Sequence, residues 1–345
     1  MSDTVPLTRF ALSEHQRSSI NVDQVTHIYD KTETRVLDNI NLHLETGFYG
    51  LLGTNGAGKS TLMRIICTLL KPTKGTVTVN GLDTIRDCIE IRGHIGYLPQ
   101  SFSAWRLFRT EEVLDTLARL SGVTDKKRRK ARVVQVLEEV GLTDVADRRV
   151  KKLSGGMVRR LGVAQALVHE PSIIVVDEPT VGLDPEERIR FRHLMAELGQ
   201  TRTILCSTHI VSDLGSGCKE IALLDDGKIA FQDSPDAFIN QAQGRVFEVQ
   251  VDLETAMQIE ETYEIVSRES VANQVKLRLV IDRNNDAPTG AMPVNSATLE
   301  EAYLAFMGSI GKFAAVRADQ EADLEAEEAD TKKKRRKRGA KRSTS

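Results

Sequence analysis

The chain has 345 residues, with 47 Lys and Arg set against 49 Asp and Glu. Being 40% hydrophobic and 28% charged, it has the make-up of a globular protein of about two domains, which excludes fibrous, collagen-like and wholly disordered chains. No run approaches the roughly 18 consecutive apolar residues of a membrane span, and residues 1–19 lack the apolar centre of a secretory signal, so a membrane role would have to come through a partner.

In chain order, residues 20–44 predict strands. Ile40, Leu42 and Leu44 alternate with Asn41, His43 and Glu45, the period of a half-buried strand. The apolar run 48–52 lies between glycines, as a fully buried strand does. Residues 59–70 predict a helix closed by Lys71 and Pro72, and 76–80 a strand ending in an Asn80-Gly81 turn. The middle of the chain is helical. Val113, Leu117 and Leu120 fall on one face of 110–120, and Asp125 can cap a helix carrying Val133, Val136, Leu137 and Val140 up to Gly141. Six basic residues at 126–132 read as a solvated face of that helix. A helix at 156–168 places Met157, Leu161, Ala164 and Val168 along one side. The β-branched run 173–176 predicts a central parallel strand, followed by a helix at 186–198, a strand at 203–206, and a hairpin of 221–224 and 228–231. Strands alternating with helices indicate a parallel α/β sheet. Beyond about residue 237, strands at 247–251 and 275–281 and a helix at 298–307 predict a small α+β unit.

The strongest chemical signal is Gly53-Thr54-Asn55-Gly56-Ala57-Gly58-Lys59-Ser60, between a predicted strand and a predicted helix. This is the P-loop pattern, whose glycines let backbone N–H groups point at phosphate oxygens while the helix N-terminus adds positive potential. Lys59 then reaches the β- and γ-phosphates and the Ser60 hydroxyl binds Mg²⁺, with Thr61 beside them among the nucleotide contacts. Asp177 ends the buried run 173–176, where a carboxylate can hold that Mg²⁺, and Glu178 follows at once. Two acids at the end of an apolar strand call for a use, one holding metal and one positioning or deprotonating water. Leu153-Ser154-Gly155-Gly156-Met157 opens a helix as a second anion nest, although an N-cap without a ligand is the better account of those five residues taken alone.

The P-loop, the segment 153–157 about 20 residues before Asp177-Glu178, and Ser207-Thr208-His209 beyond it together resemble the ATP-binding subunit of ABC transporters over roughly residues 20–237. The resemblance implies a P-loop NTPase (RecA-like) α/β core with an antiparallel β subdomain and an inserted helical subdomain. It implies ATP and Mg²⁺ as cofactors and ATP hydrolysis as the activity. Tyr29 resembles the aromatic that stacks on adenine, and Gln100 the Q-loop glutamine that contacts Mg²⁺ and communicates with the membrane subunit. Ser154, Gly155 and Gly156 resemble the signature that grips the γ-phosphate bound by the opposite subunit, with Asp184 of Gly182-Leu183-Asp184 in the D-loop across the dimer interface. Glu178 resembles the catalytic base and His209 the switch histidine. The last signature position is Met157, where many members carry Gln, so a side-chain hydrogen bond from that position is lost.

The implied partners are an integral-membrane permease and a second copy of this chain, or a homologous ATPase subunit. No specific nucleic acid is implied. The implied location is cytoplasmic, at the inner face of the membrane, in keeping with four cysteines (Cys67, Cys88, Cys206, Cys218) that lack metal-ligand spacing. The alternative is an ATPase of the same family acting on the ribosome or nucleic acid. Gly47-Phe48-Tyr49-Gly50-Leu51-Leu52, Met157 and the ending Thr298-Leu299-Glu300-Glu301-Ala302-Tyr303-Leu304 resemble the subgroup that exports drugs, antibiotics or polysaccharide precursors. The expected organisation is an extension at 1–18, an ATPase domain at 19–237 with its helical subdomain at about 97–160, an α+β unit at 238–316, and a disordered tail at 317–345. That tail is acidic, then basic. Without the nine Lys and Arg between Lys332 and Arg342, 38 basic residues face 49 acids, and the basic run either touches anionic lipid or serves only as a solubilising tail, the second reading explaining it at least as well.

Overall fold

The computed structural model describes residues 18–29, 33–181, 183–215, 217–281 and 285–313. The expected charged tail, and all of the N-terminal extension but Ser18, lie outside the described residues. The chain divides into two units, Met1–Gln232 and Asp233–Ser345.

The first unit opens with β1 (Ile20–Tyr29) and β2 (Thr34–Leu44), followed by β3 (Gly47–Leu52), α1 (Lys59–Ile66), β4 (Lys74–Val79) and β5 (Leu82–Asp83). After α2 (Cys88–His94) and β6 (Ile95–Leu98) come three helices, α3 (Thr110–Leu120), α4 (Lys126–Glu139) and α5 (Gly155–Leu167). The chain then alternates through β7 (Ile173–Asp177), α6 (Pro185–Gly199), β8 (Thr203–Thr208), β9 (Glu220–Asp225) and β10 (Lys228–Asp233). One sheet, of order β2-β1-β4-β5, is antiparallel, with Ile20 facing both Leu44 and Val79. The other runs β10-β9-β3-β8-β7-β6, and its β9, β3, β8, β7 and β6 are parallel neighbours. The unbroken apolar run of β7 puts it inside this sheet, where every one of its residues is buried.

Helix α1 stands on a core shared with both sheets. Its Leu62, Met63, Ile65 and Ile66 cluster with Val22, Ile40, Val79, Leu51 and Val175. Each of these four contributes roughly 1.5–3 kcal/mol by leaving water. The helix is shorter than the sequence predicts. Thr68 takes a left-handed φ of 59°, Thr68 N–H donates to Ile65 O and Leu69 N–H to Arg64 O at 2.8 Å, so the chain closes in a Schellman turn before reaching Leu70.

Two further expectations need correction. Leu120 is 74% exposed, because α3 buries Thr110, Val113, Leu114 and Ala118 instead. The basic run at 126–132 is only partly solvated. Arg129 donates to Asp115 and to the carbonyls of Val123 and Thr124, while the buried Arg132 pairs with the buried Glu139 carboxylate at 2.9 Å and donates to Leu167 O.

The second unit contains α7 (Pro235–Asn240), β11 (Val246–Val251), α8 (Leu253–Thr262), β12 (Glu264–Val271), β13 (Gln274–Val280), β14 (Met292–Pro293) and α9 (Leu299–Ser309). Its sheet has the order β12-β13-β11-β14, with antiparallel pairs throughout. Helix α8 and strand β12 were not legible in the sequence, since β12 leaves five consecutive residues exposed and shows no apolar alternation. Thr298 and Glu301 form a capping box at the start of α9, and the same Glu301 pairs with Arg278 of β13.

Candidate functional site

Parallel pairing sets the site. In the register of the six-stranded sheet, Leu52 faces Thr208, Asp177 faces Ser207 and Leu98 faces Val176. The loops that follow β3, β6, β7 and β8 therefore leave one edge, the carboxyl end at which open α/β sheets bind ligands.

The loop after β3 is residues 53–58, closed by the first turn of α1. Gly58 has φ 107°, and a Cβ there would sit 2.8 Å from Val36 O, so only glycine fits. Ser60 and Thr61 lie in the first turn of α1, while Asn55 and Gly56 are exposed at the tip of the loop. Lys59 is buried, and its ammonium donates to Gly53 O at 2.6 Å and Thr54 O at 3.0 Å. The same ammonium lies 3.5 Å from Glu178 Oε1.

Glu178 is the hub. Gln100 Nε2 donates to its Oε2 at 2.8 Å, and His209 Nδ1 lies 3.4 Å from its Oε1. Burial alone would raise the Glu178 pKa, but the His209 hydrogen bond and the Lys59 charge outweigh it and hold the carboxyl below its ordinary range. Its backbone is left-handed, with φ 44°, at a residue where that conformation costs about 1–2 kcal/mol. Ser207 holds it there. The Ser207 hydroxyl accepts from Glu178 N–H at 3.0 Å and donates to Asp177 Oδ1 at 2.6 Å. Glu178 N–H also reaches Ser207 O at 3.2 Å.

The remaining candidates fall in two places. The Tyr29 hydroxyl is 3.3 Å from Thr61 Oγ1, so this ring borders the first turn of α1, with His27 packed edge-on at 4.7 Å. Ser154 caps α5 by accepting from Met157 N–H at 3.1 Å, and Asp184 caps α6 by accepting from Glu187 N–H at 3.0 Å. Arg160 Nε pairs with Glu187 at 3.3 Å, and a Cβ on Gly156 would lie 2.9 Å from that carboxylate, so the two capped helix starts are neighbours. Gly155 begins α5, and Gly182 lies outside the described residues. The structure thus brings Lys59, Gln100, Asp177, Glu178 and His209 together, and forms a second group from Ser154, Gly155, Gly156 and Asp184.

Sequence reasoning gives no role to two members, Ser207, which it names only within the Ser207-Thr208-His209 motif, and Arg159. Ser207 had a faint signal, a hydroxyl one residue past a buried strand run. Arg159 had none. Its guanidinium lies against the loops carrying Gln100 and Glu178, and burial lowers its pKa.

Residues 37–181 match the family model described as ABC transporter. The uncharacterized ABC transporter ATP-binding protein YxlF of Bacillus subtilis is 36% identical over 214 residues, which are 62% of this chain and 70% of that protein. The chain belongs to the ABC transporter ATP-binding proteins. The Nod factor export ATP-binding protein I of Paraburkholderia xenovorans is 32% identical over 293 residues, 84% of this chain and 92% of that relative. Among solved structures, the dimeric post-hydrolysis state of the ATP-binding cassette MJ0796, bound to ADP and Pi, matches with TM-score 0.57 and 28% identity, covering 62% of this ATP-binding protein and 98% of the cassette. As a member of this family, the protein is an ATPase whose hydrolysis of ATP powers transport. Among the described residues, no helix is long and apolar enough to cross a membrane.

Proposed function

We propose that this ATPase drives export through a separate integral-membrane permease at the inner face of the membrane. We propose further that it works as a head-to-tail pair holding two ATP molecules. The observation that carries the reading is the meeting of Lys59, Gln100 and His209 on one Glu178 carboxylate, at the edge where the phosphate-binding loop begins. Export is favoured by the length of the match to the Nod factor export protein and by a further relative, the daunorubicin resistance ATP-binding protein DrrA2 of Streptomyces coeruleorubidus, 36% identical over 221 residues.

In this reading the loop 53–58, with Lys59, Ser60 and Thr61, cradles the phosphates, and Tyr29 meets the adenine. Glu178 is the general base, kept ionised by the His209 hydrogen bond and the Lys59 charge, and His209 turns toward the γ-phosphate. Ser154, Gly155 and Gly156 reach the nucleotide of the other copy, with Asp184 at the interface. The donor set suits Mg²⁺. Ser60 hydroxyl, Asp177 carboxylate and Gln100 amide oxygen are hard oxygen ligands, the kind that Mg²⁺ takes alongside substrate phosphates. Bound there, Mg²⁺ would neutralise phosphate charge.

Affinity purification of wild type and Glu178→Gln from detergent-solubilised membranes tests the reading. Recovery of a multi-span membrane protein with both supports it. Recovery of ribosomes or nucleic acid with no membrane protein would overturn the transport assignment while leaving the ATPase intact.

A further inference from the structure

Arg159 lies on α5, five residues after the Ser154 cap, and it meets five main-chain carbonyls. Its Nε donates to Pro179 O at 2.7 Å. Nη1 donates to Gln100 O at 2.8 Å and Pro99 O at 3.3 Å. Nη2 donates to Glu178 O at 2.6 Å and Asp177 O at 3.1 Å. The two bonds of Nη1 go to the loop after β6, and the other three go to the last residue of β7 and the loop that follows it. A guanidinium offers five N–H donors in a rigid plane, and here each of its three nitrogens is committed.

The consequence is geometric. The main chains at Gln100 and Glu178 are tied to one planar group, and their side chains then meet at 2.8 Å. Glu178 occupies a left-handed backbone that relaxes unless several bonds hold it, and Arg159 and Ser207 are the side chains that do so. The helix carrying Arg159 is the one whose first turn is the nest of Ser154, Gly155 and Gly156. Helices are stiff over two turns, so a shift of that nest is felt by the clamp.

We infer that Arg159 is a positioning residue that couples engagement of the Ser154–Gly156 nest to the alignment of Glu178 and Gln100 for ATP hydrolysis. The inference rests on the reading of Glu178 as the base. Lysine cannot replace the clamp, because a point ammonium with three donors does not span two loops. A side chain that merely held the fold together would affect binding and stability as much as turnover, whereas a positioning residue acting through Glu178 loses its effect once Glu178 is gone.

The test uses the full chain as wild type, Arg159→Lys, Arg159→Gln, Glu178→Gln and the Arg159→Lys/Glu178→Gln double variant. Steady-state ATPase, binding of a fluorescent ATP analogue, single-turnover hydrolysis and thermal unfolding are compared. Arg159→Lys is expected to lower kcat by about tenfold or more while KM and analogue affinity stay within about threefold. In the Glu178→Gln background the same change should alter the residual single-turnover rate by less than about twofold. Turnover within about twofold of wild type in Arg159→Lys overturns the inference. So does an equal loss in both backgrounds, or a parallel collapse of affinity, unfolding temperature and kcat. If Arg159→Gln does not fold, Arg159→Lys carries the test. Wild-type turnover by Glu178→Gln would instead sink the base assignment, a failure readily told apart from normal turnover by Arg159→Lys beside an inactive Glu178→Gln.

Discussion

Replacing Ser207 by alanine probes the support of the hydrolytic hub with a single atom. Ser207 is fully buried, so the loss is of hydrogen bonds rather than of packing. Its hydroxyl donates to the Asp177 carboxylate, itself 2% exposed, at 2.6 Å. A hydrogen bond to a charged group contributes about 1.5–3 kcal/mol, and leaving a buried carboxylate oxygen short of a donor places the loss toward the upper end. The second bond, from Glu178 N–H, matters less, because that N–H keeps the Ser207 carbonyl at 3.2 Å. The expected destabilisation is about 2–3 kcal/mol. Urea unfolding of both proteins at pH 7.5 measures it as a lowered midpoint with an unchanged slope. Turnover should fall as well, since the left-handed turn at Glu178 loses a tether. A destabilisation below about 0.5 kcal/mol would refute the reasoning, because it would mean that the short Asp177 contact carries no charge-assisted strength.

Three other outcomes follow from the same structure. Arg132→Ala should destabilise by about 3–5 kcal/mol in urea unfolding, since it strands the buried Glu139 carboxylate, whereas Arg132→Met with Glu139→Leu should recover most of the loss. A cost near zero for the single variant would restore the view of residues 126–132 as a solvated face. Gly58→Ala should weaken ATP-analogue binding by at least about tenfold, because a Cβ 2.8 Å from Val36 O forces the phosphate loop open. Unchanged affinity would show that the loop does not depend on that left-handed residue. Burial raises the pKa of Asp213 above its ordinary 3.8, against opposing hydrogen bonds from Thr180 and Thr208 and the charges of Arg188 and Arg192. A raised carboxyl stabilises the fold at low pH and loses that contribution as pH rises through its folded value. The stability of wild type relative to Asp213→Asn should therefore fall from pH 4 toward neutrality, and a rise would contradict the sign.

Much of the first unit could be read from local chemistry. The loop 53–58 needs glycines at fixed positions to turn its N–H groups inward, so its pattern survives in sequence whatever surrounds it. Strand β7 needs apolar residues on both faces and declares itself for the same reason. What escaped notice acts through partners without sequence spacing. Arg159 binds carbonyls from Pro99 to Pro179, and a carbonyl is the same at every residue. The end of α1 was hidden in the left-handed turn at Thr68, a residue type that rarely adopts it. Arg129 and Arg132 carry a legible signal against a solvated face. They share the helical period of Val133, Val136 and Leu137, and that face is the buried one. In the second unit, β12 leaves most of its residues exposed and offers no alternation to detect.

The most direct test of the central claim is the assembly state of Glu178→Gln with Mg²⁺ and ATP, measured by size-exclusion chromatography with light scattering and nucleotide analysis of the peak. If Glu178 is the base of a paired ATPase, the variant elutes as a dimer retaining two unhydrolysed ATP molecules, while wild type under the same conditions turns ATP over and comes apart. A variant that stays monomeric with ATP, or that releases ADP at the wild-type rate, would contradict both the pairing and the role of Glu178.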